Sequence, residues 1–254
     1  MQIIIAPARK MTTDTDSLPV HQLPQFLPQT SQILQAMRQL SYSEARHLWW
    51  NCSEKIARPN YHWLFDMDLE KQLTPALLAF TGLQYQYMGA GVFTDDQLSY
   101  LNRHLRILSG FYGLLRPDDG IVHYRLGMGD RIQVGAARNL YQFWGARLAQ
   151  QLKQENSLVL NLASNEYAKA ITAYPQEGLQ VVTCRFGRIK ERRFRQMTTR
   201  AKMARGRMVR FLAEQQADSI ETVKQFHELH FHYHQELSTP TCLTFVETPS
   251  TTDK

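Results

Sequence analysis

The residues Leu158-Val159-Leu160-Asn161-Leu162-Ala163-Ser164-Asn165-Glu166-Tyr167 pass from an apolar run to a polar cluster without a break. The pattern predicts a strand over Ser157–Leu162, followed at once by a helix opening at Ala163-Ser164-Asn165. Polar groups at such a junction stand outside the carboxyl end of a strand, where ligands commonly bind, and the helix N-terminus favours an anion. Asn165 and Glu166 are therefore candidates for recognition or acid–base work, with Lys169 one turn further on. The plainer reading is that Ser164 and Asn165 only cap the helix. Lys10, delivered by a first strand over Gln2–Ala6 that stops at Pro7, is a candidate for the same region, as is Arg125. A lysine beside other cations in a cleft has a lowered pKa and can serve as nucleophile or base, although lysines on open surface are far commoner.

A second candidate is His104-Leu-Arg-Ile-Leu-Ser-Gly-Phe-Tyr-Gly-Leu-Leu-Arg-Pro117, where Gly110 and Gly113 interrupt apolar residues at helical spacing. Glycines allow positive φ and close approach, and converging backbone N–H groups make a small anion site. Arg106 and Arg116 bracket the interruption. The arrangement resembles a helix-hairpin-helix that grips phosphate, though its glycines stand further apart than usual. The alternative is a Gly-ended helix followed by a tight core turn.

Other chemistry is thinly supported. His227 and His230 stand one residue short of the helical spacing of a metalloprotease pair. On a strand, His230, His232 and His234 would share one face and could bind a transition metal, but no cysteine stands beside them, so no metal site and no cofactor are expected. There is no phosphate loop, Gly89-Ala90-Gly91 lacks a third glycine, and nothing marks a Ser-His-Asp or Cys-His hydrolase. Three widely spaced cysteines suit reduced thiols. Neither a signal peptide nor a membrane span is visible, which gives the expectation of a cytoplasmic protein.

Charge carries more information. The formal net charge is +6, but Arg185 to Arg210 holds eleven basic residues and one acid, leaving the remainder mildly acidic. Such asymmetry is the footprint of a polyanion binder. Arg188, Lys190, Arg192, Arg193, Lys202, Arg205 and Arg207 are the residues expected to meet DNA phosphates, together with Arg106, Gly110, Gly113 and Arg116 of the glycine segment. The alternative is a solvated basic face.

The elements that must position these groups follow from periodicity and caps. Thr12 to Pro28 reads as an irregular excursion, Thr30–Leu40 and Ser43–Trp50 as helices with Ser43 as a cap, and a further helix follows Pro59. Ala76–Phe80 is more strand than helix. Thr94-Asp95-Asp96 opens a helix running through Leu108. Gly120–Gly135 is loop-rich, and Asn139–Gln151 is a helix. Leu179–Ile189 and Arg193–Met197 form a hairpin turning near Glu191. Thr198 or Thr199 caps a basic helix to about Glu214, Asp218 caps another, and Cys242–Glu247 is a final strand. The expected fold is a single α+β domain over 1–247, a mixed sheet surrounded by helices, with a disordered tail at 248–254.

The order of several of these segments resembles the YaaA family of peroxide-stress proteins. The likeness rests on Ile3-Ile4-Ile5-Ala6-Pro7-Ala8, Leu73 to Phe80, His104 to Pro117, Tyr124-Arg125-Leu126, Asn139 to Gly145, Asn161 to Tyr167 and Ala201 to Gly206. His230-Phe231 departs from the Gly-Tyr often found there. The resemblance implies a mixed α+β fold and a role in limiting oxidative damage under hydrogen peroxide. It links that role to lower unincorporated iron and to DNA binding through a helix-hairpin-helix-like element and a positive cleft. It supplies no reaction. The function expected is backbone-directed binding of duplex DNA with little sequence preference and no obligate protein partner. The alternatives are an enzyme acting on a damaged or modified base around Lys10, Arg125, Asn165, Glu166 and Lys169, or an iron-handling protein using the histidines.

Overall fold

Ile3, Ile4 and Ile5 are all fully buried, so the first strand is covered on both faces, as a central strand of a parallel sheet must be. The computed structural model describes residues 1–248. Its main sheet has eight strands, numbered here β1 (Gln2–Ile5), β2 (Leu105–Ser109), β3 (Gly113–Leu115), β4 (Leu158–Asn161), β5 (Gln180–Lys190), β6 (Arg193–Gln196), β7 (Phe231–Tyr233) and β8 (Cys242–Glu247). The order is β7-β8-β5-β4-β1-β2-β3, and β6 pairs with β5. The inner strands β8, β5, β4, β1 and β2 run parallel; β3, β6 and β7 are antiparallel to their neighbours. Helices pack around this mixed sheet, which makes the fold α+β, and the buried side chains form one contiguous core.

From β1 the chain reaches β2 on one side, whereas β4 is followed by β5 on the other side. The strand order therefore reverses between β1 and β4, and the space beyond their carboxyl ends is the expected ligand crevice of such a sheet. Asn161 fixes the exit from β4: its amide donates to Thr183 Oγ1 at 3.1 Å and its carbonyl accepts from Ala163 N–H at 2.9 Å.

The glycine segment is a correction. The helix from Asp95 ends at His104, and the chain continues as β2, a tight turn and β3, so no helix-hairpin-helix forms here. Leu105 and Leu108 continue the spacing of the helical Leu101 only because every residue of β2 is buried, on both faces. The amides of Phe111 and Tyr112 both donate to Ser109 Oγ, so neither is available to grip a phosphate. A Cβ on Gly110 would lie 2.8 Å from the Gly127 backbone, and one on Gly113, at φ +77°, would lie 2.9 Å from Trp144.

Smaller boundaries also move. Ala76–Ala79 is a helical turn rather than a strand, and Pro59 lies inside the Glu54–Asp66 helix. Ser41, not Ser43, caps its helix, through a reciprocal bond with Glu44. The Asn139–Gln151 region splits at Gly145 into Leu140–Trp144 and Arg147–Glu155. The Thr198–Glu214 helix starts without a side-chain cap, and Ser219 rather than Asp218 caps the next. Most of the expected tail, 249–254, lies outside the described residues.

Candidate functional site

A cleft opens at the carboxyl ends of β1 and β4. Its larger half, about 340 Å³, is lined by Ala6 to Arg9, Thr81 to Tyr85, Ser164, Glu166, Tyr167, Lys202 and Arg205. A smaller half shares Pro7, Ala8, Arg9 and Tyr167 and adds Trp49, Trp50, Arg125 and Asp130. The loop 124–130 is tied over the strand ends by specific bonds. Trp49 Nε1 donates to the Arg125 carbonyl and Trp50 Nε1 to Asp130 Oδ1, at 2.6 and 2.7 Å. Gly127 N–H donates to Asp130 Oδ2 and Gly129 N–H to Glu166 Oε1. One oxygen of Glu166 is thus held by the loop, while Oε2 has no donor among the described residues.

The electrostatics of the cleft turn on Arg205. The residue is only 7% exposed, its Nε has no acceptor, and no ion pair reaches it among the described residues. Burial pushes its guanidinium below the ordinary arginine value, and the smaller influence of Cys184 opposes that shift. Gln84, also 7% exposed, presents a second orphan donor, Nε2. Gly206 makes this neighbourhood possible, because a Cβ there would lie 2.1 Å from the Gln84 carbonyl. Lys202, one turn before Arg205, is exposed and unpaired among the described residues. Ser164 has the backbone of an N-cap, yet its hydroxyl makes no capping bond. Tyr85, Tyr124 and Tyr167 are pushed upward by burial and remain neutral phenols.

The other concentration of charge is the β5–β6 ribbon, which projects past the sheet as exposed residues from Arg188 onward. Register pairs Arg188 with Arg195 and Lys190 with Arg193, and these four alternate with Ile189 and Phe194. Four cations therefore share one face as directly opposed like-charge pairs, a destabilising arrangement in water. No ion pair relieves them among the described residues. The turn residues Glu191 and Arg192 have φ of 53° and 59°, the left-handed geometry of a tight hairpin turn.

The sequence profile of the family described as "Peroxide stress protein YaaA" matches residues 1–237. This chain belongs to the YaaA family. Among similar family proteins, one from Limosilactobacillus reuteri named "UPF0246 protein" is 54% identical over 96% of this chain and 98% of its own. Namesakes from Pediococcus pentosaceus and Lachnoclostridium phytofermentans are 48% and 44% identical, each over 97% of this chain and at least 96% of their own.

In this YaaA-family chain the expected site residues fall into distinct groups. Arg125 and Glu166 line the two halves of the cleft. Lys10 lies on a short exposed strand paired with Thr81, Asn165 is exposed, and Lys169 stacks over Tyr141, so none of the three lines the cleft. Arg188, Lys190, Arg192 and Arg193 are exposed on the ribbon. Arg207 is held by Glu228, while Arg106, Gly110 and Gly113 are buried and only Arg116 of that segment is exposed. Gln84, Trp50 and Asp130 were not foreseen. Only the Gly127-Met-Gly-Asp130 sequence, with its aspartate closing a tight turn, hinted at the last. No three His, Cys, Asp or Glu side chains converge as metal ligands among the described residues, and no helix there is long and apolar enough to cross a membrane.

Proposed function

We propose that this protein acts in the peroxide stress response by binding duplex DNA through its phosphate backbone, with the β5–β6 ribbon as the principal contact. The family description supports the stress role. The observation that carries the DNA reading is the ribbon face on which Arg188 opposes Arg195 and Lys190 opposes Arg193. A polyanion relieves that repulsion, and a two-stranded ribbon is narrow enough to enter the major groove of B-DNA. Contacts to phosphate position a protein without reading sequence, so unrelated duplexes should bind alike. Protection would follow from occupancy of DNA, and the link to iron rests on the family resemblance alone.

The test is anisotropy with two unrelated duplexes and the Lys190→Glu/Arg193→Glu protein. Loss of at least tenfold in affinity on both duplexes is expected. Unchanged affinity would remove the ribbon from the interface.

A second reading, acid–base chemistry on a nucleic-acid base, draws on Glu166, which has one carboxylate oxygen anchored by Gly129 and the other open. Release of free base from DNA carrying a modified base, abolished in Glu166→Gln, would support it.

A further inference from the structure

We propose that the cleft between β1 and β4 binds a single nucleotide, with its phosphate on Arg205, Gln84 and Lys202 and its base against Trp50. This site is separate from the ribbon and does not depend on the ribbon meeting DNA.

Two buried donors without acceptors stand in the same cleft: Arg205 Nε and Gln84 Nε2. Buried polar groups are nearly always bonded, and a buried guanidinium without a counter-charge is costly. A water would satisfy the Gln84 amide, but it would not neutralise Arg205. The group that satisfies both is an anion with several acceptor oxygens. Gly206 holds the arginine-bearing helix against the Gln84 backbone, so the two donors are fixed by the fold rather than brought together by a ligand. Lys202 adds charge from the same helix face, and the uncommitted Ser164 hydroxyl adds a further donor. Phosphate geometry suits this set, because a guanidinium presents a planar fork of donors.

The adjoining half specifies more than phosphate. Trp50 is 68% exposed despite its size and has φ of 59°, which side chains rarely adopt. Its indole is held at one edge by Asp130 and has the Arg9 guanidinium 6.0 Å from its ring. A strained backbone that presents a clamped aromatic surface beside a cleft is a feature maintained for a partner. A flat heterocycle stacks on such a surface with little dependence on sequence. The larger half alone falls within the usual size of small-ligand sites. The same chemistry has two sources, a free nucleotide or one displaced from a bound strand.

Calorimetry with inorganic phosphate, the four common nucleoside monophosphates and a duplex distinguishes them. At least one monophosphate should bind with unit stoichiometry, more than tenfold tighter than phosphate. Arg205→Met should weaken it at least tenfold while thermal stability holds or rises, because an unpaired buried charge has been removed. A merely structural arginine would instead lower stability. Trp50→Ala should weaken the nucleotide and leave phosphate unchanged. Should Arg205→Met fail to fold, Gln84→Leu and Trp50→Ala carry the test. If free nucleotides do not bind, yet duplex affinity falls tenfold in Arg205→Met with the ribbon intact, the nucleotide is taken from the strand. The proposal is overturned if neither free nucleotide nor duplex binding responds to these cleft variants. Failure there leaves the ribbon reading standing, because that reading is tested by Lys190 and Arg193.

Discussion

Arg106 Nε donates to Glu155 Oε2 at 2.8 Å, with side chains only 6% and 12% exposed. Two further bonds, to the carbonyls of Asn102 and Leu105, occupy Nη1. This arginine therefore locks β2 to the Arg147–Glu155 helix and, at 6% exposure, is not presented to a phosphate outside the protein. Removing one member of a buried pair typically costs about 3–5 kcal/mol, because the other charge is stranded. Arg106→Ala should lose stability of that order in urea unfolding while the folded protein binds DNA within twofold of the parent. A stable variant with weakened DNA binding would contradict this assignment.

Gly113 makes a parallel case. A side chain there meets a positive φ, at about 1–2 kcal/mol, and Trp144 and Leu148, at about 1–3 kcal/mol for overpacking. Gly113→Val should therefore melt well below the parent, and its residual folded fraction should retain parental DNA affinity. Normal melting would show that this turn has room the structure does not show.

Asp119 gives a pH prediction. Burial raises its carboxyl to about 7, against a bond from Arg116 N–H and the charges of Arg116 and Arg106, which lower it, and Asp118, which raises it further. The folded state thus holds a proton that the unfolded chain releases near the ordinary aspartate value. Its contribution to stability is full at low pH and declines as pH rises from about 4 to 7, by up to about 1.4 kcal/mol per pH unit. Asp119→Asn should remove that slope, so the stability difference between variant and parent grows towards pH 7 and then levels. A difference that is constant from pH 5 to 8 would mean the carboxyl is ionised throughout.

The ribbon carries a stability signature of its own. Arg193→Glu places an acid opposite Lys190, replacing a repulsive pair with an attractive one worth about 0.2–1 kcal/mol. The melting temperature should rise by roughly 1–3 °C at low salt, and the gain should shrink at high salt as the pair is screened. A fall in stability would show that the cationic face is already compensated within the protein.

Some of this was legible in the sequence because short-range pattern decides it. Ile3 to Ile5 and Val159 to Asn161 read as buried strands, and the ribbon showed itself through β-formers on both sides of Glu191. The glycine segment misled because a strand buried on both faces and a helix share the same unbroken apolar spacing. Arg205 and Arg188 look alike in a basic window, yet one is buried beside Gln84 and the other is exposed. Only the approach of two helices at Gly206, a long-range contact, separates them. Trp50 and Asp130 meet across 80 residues, and no local rule announces such a pair.

The central claim is that the ribbon binds DNA by neutralising phosphate, and its most direct test is the salt dependence of duplex affinity. With four to five ribbon cations engaged, the log–log slope should be about −4 in the parent. The Lys190→Glu/Arg193→Glu protein should show a slope shallower by about two, equally on unrelated sequences. A slope near zero in the parent, or the same steep slope in both proteins, would contradict the account.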